Sequence, residues 1–266
     1  MHDLVTAWRR ALVGEVCWLG PGERPEGTPA TPLALDGVPC LALPYAGRET
    51  AHAVAAAPEV VFAVTDARSL ASGGPGVAAV GTTTVHDDLD GKLFTEHLLE
   101  QELLKYPPSR TLADSLLLRR ENWWWLPRLI VRLDHIDRTV SLPARSEPAC
   151  EALLVHDGTG LRLDTVRFED GEGHARPRSL AGDPLRGDGA PALLFGHDYT
   201  EPDLERWEPW TVRGRLLGDE LTVEERDGEP GAALPPLRLL DRVRRQRELG
   251  RACRRGVAAA ERVRGH

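Results

Sequence analysis

The stretch Val38–Asp66, VPCLALPYAGRETAHAVAAAPEVVFAVTD, decides how this chain of 266 residues is interpreted. It contains two apolar segments, Val38–Tyr45 and Glu59–Val64, with the composition of mostly buried strands. Between them, Arg48–Ala57 is built from good helix formers and is followed by Pro58, which ends a helix. The stretch therefore predicts a strand, a short helix and a second strand.

The junction between the first strand and the helix, Gly47-Arg48-Glu49-Thr50, is a candidate anion site. A helix N-terminus presents unpaired backbone N–H groups, which suit a phosphate. Arg48 and Thr50 would add a guanidinium and a hydroxyl, whereas Glu49 would repel an anion. The same residues are also explained by a solvated Arg48 and a Thr50 that lies in the first helical turn. Both interpretations stay open at this point.

The helices and strands around this stretch are predicted from the spacing of apolar residues and from turn residues. Asp36-Gly37 predicts a tight hairpin, because both residues accept the positive φ angles of such turns. The helix Asp90–Leu104 is expected to bury one face, with His97 on that face, and Asp88 or Asp90 is expected to cap its N-terminus. The remaining predicted elements of this half are an opening helix at 3–13 and the strands Gly14–Leu19, Thr28–Leu35, Val77–Val85 and Trp123–Asp137.

From about Pro143 the chain becomes rich in Gly, Asp, Pro and Arg. We expect a shortened, loop-rich version of the first half, with strands at Leu153–His156, Leu161–Phe168, Ala192–Phe195 and Trp210–Leu216. The tail Leu237–Arg264 is predicted to be helical and carries ten arginines against three acidic residues. A basic tail on an acidic body is expected to pack against its own chain, so nucleic acid is an unlikely partner.

Composition narrows the function classes. The net charge of −8 and the pI of about 5.6 give no drive toward nucleic acid or anionic membranes. The four cysteines are far apart, which argues against structural zinc and is typical of free thiols in a reducing cytoplasm. No signal peptide or membrane span is predicted. We therefore expect a cytoplasmic location. The sequence has no P-loop or G-x-S-x-G motif, which argues against a nucleotide triphosphatase and a hydrolase, and no H-E-x-x-H motif, so we expect no metal site.

The order of predicted elements in the first ~140 residues resembles the flavin-binding split barrel of the pyridoxamine 5′-phosphate oxidase superfamily. Gly47–Val64, GRETAHAVAAAPEVVFAV, is similar to that superfamily's G-S-R-K-A-x-x-x-x-x-N-P-x-V-x-x-x-F region. The segment 92–107, which ends in Tyr-Pro, resembles the helix before the last strand of the family barrel. Asn122–Arg128, NWWWLPR, resembles the aromatic segment that leads into that strand.

The resemblance implies a cofactor, because members bind FMN, the deazaflavin F420 or haem, usually at a dimer interface, and some bind none. Carried over, it implies that Arg48, Thr50, Trp124 and Arg128 contact the cofactor, and that His97 is an axial ligand only if haem is bound. The superfamily's phosphate-binding cations are mostly missing. Its S-R-K turn falls on Arg48-Glu49-Thr50, and its strand Arg and Lys fall on Thr28 and Leu33.

Together these observations predict an α+β, β-rich fold: a split β-barrel at 1–142, a second β-rich and degenerate barrel-like half at 143–233, and a basic C-terminal helix at 234–266. The resemblance implies an FMN-binding oxidoreductase of unknown substrate. The alternatives are a haem-binding protein and a cofactor-free binding or regulatory module. The expected partners are a small molecule and either a second copy of the chain or, as an intrachain pseudo-dimer, its own second half.

Overall fold

The computed structural model describes residues 4–71, 73–113, 123–156, 158 and 160–264. Its helices are α1 (Leu4–Arg10), α2 (Arg48–Ala56), α3 (Leu99–Lys105), α4 (Pro108–Ala113) and α5 (Leu239–Arg264). Its strands are β1 (Gly14–Leu19), β2 (Pro25–Ala30), β3 (Leu33–Leu35), β4 (Val38–Pro44), β5 (Val60–Val64), β6 (Gly76–Asp88), β7 (Arg128–Leu142), β8 (Glu151–His156), β9 (Arg162–Gly171), β10 (His174–Ser179), β11 (Gly187–Tyr199), β12 (Trp207–Gly218) and β13 (Glu220–Asp227).

The first half forms one seven-stranded sheet in the order β2-β1-β5-β6-β7-β4-β3, with antiparallel neighbours. The element order implied by the split-barrel resemblance is found here, including the short helix α2 between β4 and β5. The predicted hairpin is confirmed: Asp36 and Gly37 have φ angles of 51° and 85° and join β3 to β4.

The second half forms a closed barrel of six strands in the order β10-β13-β12-β11-β8-β9. Two of its strands are longer than the predicted Ala192–Phe195 and Trp210–Leu216, because β11 and β12 have 13 and 12 residues. Pro191 and Pro209 interrupt the apolar runs of these strands in the sequence, yet both lie within the strands themselves. The predicted fold class, a β-rich α+β chain with a second β-rich half and a C-terminal helix, is confirmed.

The two halves pack face to face through a shared apolar core. Val61 and Val80 of the sheet lie in one buried cluster with Leu153, Leu193 and Phe195 of the barrel. All five side chains are excluded from solvent. Burial of apolar surface of this kind is the main stabilising contribution to folding, so the interface holds the halves in a fixed arrangement.

The helix predicted at Asp90–Leu104 differs from its prediction in one respect. A π-helical turn, Phe94–Leu98, precedes α3 and adds a residue to the helical repeat. The buried face consequently passes from Phe94 and Leu98 to Leu99 and Glu102. The placement of His97 on the apolar face is wrong: its side chain is 50% exposed. The predicted cap is confirmed, because the Asp88 carboxylate accepts hydrogen bonds from the N–H groups of Leu93 and Phe94.

The tryptophan run also differs from its prediction. Trp123–Trp125 forms a short 3₁₀ helix, and the strand begins only at Arg128. Trp123 is exposed, whereas Trp124 and Trp125 are both buried, so the alternation expected of a strand does not apply. Pro127 directly precedes the strand, and it lacks the N–H that a strand ladder needs. Asn122 lies outside the described residues.

Helix α5 packs on the first half, as predicted for the basic tail. Cys253 belongs to a buried cluster with Phe94, and Val257 belongs to one with Leu41. At its start, Arg242 and Arg245 pair with Glu205 and Glu208 of the second half. In the described part of the chain, none of the helices combines the length and the apolar composition of a membrane span.

Replacing Gly256 by alanine tests the docking of α5. A Cβ atom at this position would lie 2.5 Å from the backbone oxygen of Tyr45, so the helix would have to move away. We expect Gly256→Ala to lower the free energy of unfolding by about 1–2 kcal/mol. Urea denaturation measures this change. Helix propensity alone would raise stability by about 1 kcal/mol, so a stabilised variant would contradict the close packing.

Candidate functional site

The predicted phosphate site differs from a free helix N-terminus. A 3₁₀ turn, Tyr45–Gly47, runs directly into α2, so the helical segment begins at Tyr45 and not at Arg48. Arg48 and Thr50 are partly exposed and Glu49 is exposed. The Arg48 Nε donates to Nε2 of His52, 3.4 Å away on the next turn. Arg48 and Thr50 therefore lie on the first turn of α2, beyond the start of the helical segment.

Helix α5 covers the start of this helical segment. The thiol of Cys253 lies within hydrogen-bonding reach of the backbone N–H of Ala46. Gly256 contacts the backbone oxygen of Tyr45. The Tyr45 hydroxyl hydrogen-bonds to the carboxylate of Asp87, and Arg264 at the end of α5 pairs with the same carboxylate at 3.5 Å. The chain's own C-terminal helix thus packs on the turn that directly precedes Arg48.

Trp124 and Arg128 lie in the core of the first half. The Trp124 ring packs against Gly250 of α5 and is 2% exposed. Arg128 is 1% exposed and forms an ion pair with Glu102 at 3.4 Å. Its guanidinium also lies 4.2 Å from the centroid of the Phe94 ring. The structure therefore groups Trp124 with α5 and places the charge of Arg128 in a buried pair.

A groove at the junction of the two halves is a second candidate site, which the sequence did not suggest. It has a volume of about 380 Å³, within the range of small-molecule pockets. We call it the arginine groove, since three of its lining residues are arginines. Its charged and polar lining comprises Arg138, His156, Arg162, Asp164 and Arg186. Its apolar lining comprises Val140, Leu161, Leu163 and Pro184.

At Leu161, one of the residues that line the arginine groove, hydrogen bonds join the two halves. Glu59, from the segment before β5, accepts a hydrogen bond of 2.7 Å from the backbone N–H of Leu161. Arg138 of β7 donates to the backbone oxygen of Leu161 and lies 3.6 Å from Glu59. Leu161 belongs to the second half, so these three residues fix the edge of the barrel against the first sheet.

Two further arginines that line the arginine groove, Arg162 and Arg186, are exposed. Neither Arg162 nor Arg186 forms an ion pair with an acidic residue in the part of the chain that the structure describes. Asp164 lies beside them, accepts a hydrogen bond from Ser179 at 3.1 Å, and has its pKa raised by burial. The charge of Arg138 is offset by Glu59, and the two exposed guanidinium groups against the one carboxylate of the lining favour an anion.

A buried polar cluster links the halves at another position. Glu15 of β1, with no exposed side-chain surface, accepts hydrogen bonds from Thr65, from Arg145 at 2.6 Å and from His197 at 3.1 Å. Burial tends to raise the pKa of Glu15, but the hydrogen bond from His197 and the charge of Arg145 outweigh it, so the pKa is lowered. Since its central groups are excluded from solvent, we interpret the cluster as a link between the halves.

Metal binding has no support among the residues that the structure describes. No group of three or more His, Cys, Asp or Glu side chains is placed to hold an ion. His97, the conditional haem ligand, is exposed beside Glu96, 4.0 Å away. The arginine groove could not be found from the sequence, because its residues come from β7, β8, β9 and the segment before β11. Its only sequence signal is the arginine content of the second half, which is also explained by a solvated surface.

Comparisons with known proteins show distant similarities of structure alone. No family model and no curated protein matches the chain. A conserved hypothetical protein from Mycobacterium tuberculosis is 19% identical with a TM-score of 0.37, over 55% of this chain and 86% of that one. A pyridoxinephosphate oxidase family protein from Clostridium acetobutylicum, related to general stress protein 26, is 9% identical with a TM-score of 0.29, over 52% and 89%.

A heme binding protein from Mycobacterium smegmatis matches along the greater part of both chains, covering 96% of this chain and 99% of that one. Its identity is 12% and its TM-score is 0.32. Similarities at this level carry no argument about the function or the site of this chain. The fold therefore rests on the strand order and pairing described above.

Substitution of Glu15 by glutamine tests the buried link. The variant leaves the Arg145 guanidinium buried without its partner charge, and we expect a loss of about 3–5 kcal/mol in the free energy of unfolding at pH 7. The carboxylate of Glu15 has a lowered pKa in the folded state. Its stabilisation is therefore present above the unfolded pKa and is lost as the pH falls through the folded pKa.

The difference between wild type and Glu15→Gln should accordingly shrink as the pH falls below about 4.5, the ordinary pKa of a glutamate. Chemical denaturation at a series of pH values measures it. Glu261→Gln, at an exposed position on α5, is the matched control and should leave stability nearly unchanged. Equal stability of the Glu15 variant and wild type at pH 7 would rule out a stabilising link.

Proposed function

We propose that this chain is a small-molecule-binding module that keeps the split-barrel order of elements but does not hold FMN at the family's phosphate position. The observation that carries the proposal is the packing of α5 on the 3₁₀ turn Tyr45–Gly47. Cys253 lies at the N–H of Ala46, and Gly256 lies against Tyr45. A phosphate bound to the N–H of Ala46 would have to displace Cys253 of α5.

The charges around the turn support the same proposal. Arg48 is the one cation that the resemblance carries over to the phosphate position, and the adjacent Glu49 is exposed. A carboxylate and a dianionic phosphate repel each other by about 1 kcal/mol or more at close range, even with strong screening. Arg128 is already neutralised by Glu102. The residues present therefore do not fit the phosphate of FMN at this place.

The flavin-binding oxidoreductase implied by the resemblance, with FMN or F420, is the competing proposal, because the element order of the first half is retained. The haem-binding alternative takes His97 or another histidine as the axial ligand. The imidazole of His97, half exposed and beside a carboxylate, is a poor haem ligand. We therefore rank a binding module that works without flavin or haem above both.

Titration of the purified protein with FMN decides between these proposals. We expect no flavin absorption in the protein as isolated, and no saturable quenching of flavin fluorescence at micromolar FMN. Haem added in the same way should give no ligand-bound Soret band. Arg48→Gln should behave as wild type in both titrations, as should Arg255→Gln, a control on the exposed face of α5.

Saturable FMN binding that is weakened tenfold or more by Arg48→Gln, and not by Arg255→Gln, would overturn the proposed function. That outcome would place the flavin at the family's phosphate position. A Soret band that disappears in His97→Ala would support the haem alternative instead.

A further inference from the structure

We propose that the arginine groove binds the phosphate group of a compact phosphorylated small molecule. The inference rests on the proposed binding function and gives it a place and a ligand class. The groove is formed jointly by β7 of the first sheet and by β8, β9 and the segment before β11 of the second half. It is separate from the helical turn covered by α5, and none of its lining residues belongs to that turn.

The positive charges of the arginine groove differ in how they are held. Arg138 is anchored by Glu59 and by the backbone oxygen of Leu161, so its position is fixed. Arg162 and Arg186 are exposed and form no ion pair with the described acidic residues. Guanidinium groups bind phosphate oxygens through paired, charge-assisted hydrogen bonds. The charge of Arg138 is offset by Glu59, so the two available guanidinium groups of Arg162 and Arg186 provide the positive charge that suits an oxyanion.

The size and the apolar lining limit the rest of the ligand. A volume of about 380 Å³ accommodates a small organic molecule and not a folded partner. Val140, Leu161 and Leu163 provide apolar surface beside the charged groups. The net charge of −8 offers no long-range attraction for a polyanion such as nucleic acid. These features favour a phosphate carried on a compact, partly apolar molecule.

The carboxylate of Asp164 in the arginine groove repels an anion, so removing its charge should raise the affinity for phosphate. Asp164 is the acidic residue among those that line the groove in the described part of the chain. Its replacement by asparagine removes one negative charge and still allows the hydrogen bond from Ser179. A loss of folding cannot imitate tighter binding, so an increased affinity in Asp164→Asn would be specific evidence.

The experiment measures the binding of inorganic phosphate to the full chain by isothermal titration calorimetry. We expect Arg162→Gln and Arg186→Gln to weaken it about tenfold each, and the double variant by more. Asp164→Asn should tighten binding several-fold. Arg255→Gln should leave binding unchanged. Thermal unfolding of each variant checks its folding, and the two groove arginines are exposed, so their replacement leaves the core intact.

FMN and riboflavin, which differ by the phosphate alone, distinguish a flavin phosphate from other phosphate esters. FMN binding that is lost in the double variant would support the groove but overturn the proposed flavin-free function. Phosphate binding without FMN binding would support both. Absence of phosphate binding to wild type, or binding that the double variant retains in full, would overturn the groove and leave the proposed function standing.

Discussion

The buried carboxylate of Glu15 is the constraint on which the arrangement of the two halves depends. A charge that is excluded from water is tolerated only with partners, and those of Glu15 come from three parts of the chain. Thr65 follows β5, Arg145 lies in the segment between the halves, and His197 lies on β11 of the barrel. Satisfying this one group therefore fixes how the barrel meets the sheet.

The arginine groove is a consequence of that fixed arrangement. Sheet and barrel share the apolar core around Val61 and Leu153. At one edge of their contact, Glu59 and Arg138 form hydrogen bonds with the backbone of Leu161. The side chains of Arg162 and Arg186 beside it are exposed to solvent. Neither half alone contains the site. The groove exists only where the two halves meet, because its lining residues come from both of them.

Helix α5 explains why the most suggestive stretch of the sequence is not the best candidate site. Backbone N–H groups at the start of a helix need partners, and a ligand is only one source of them. Here Cys253 lies at the N–H of Ala46, and the absence of a side chain at Gly256 lets α5 approach Tyr45 closely. The segment Gly47–Val64, which resembles a cofactor-binding region, thus begins at a turn on which α5 packs.

The sequence predicts those features that depend on local pattern. The strands flanking α2, the Asp36-Gly37 hairpin, the cap at Asp88 and the packing of the basic tail all follow from residues close together in the chain. The π-helical turn that exposes His97 cannot be read from hydrophobic spacing, because the pattern assumes a constant helical repeat. The closed barrel and the arginine groove depend on contacts between distant segments, which periodicity does not contain.

The central claim is that an anionic ligand binds between the halves and not at the start of α2. Backbone hydrogen exchange, measured by NMR with and without saturating inorganic phosphate, tests it at both places at once. We expect phosphate to leave the exchange of the amides of residues 46–50 unchanged and to slow the exchange of those at 160–164 and 185–187. Protection by phosphate at 46–50, with no change at 160–164, would contradict it.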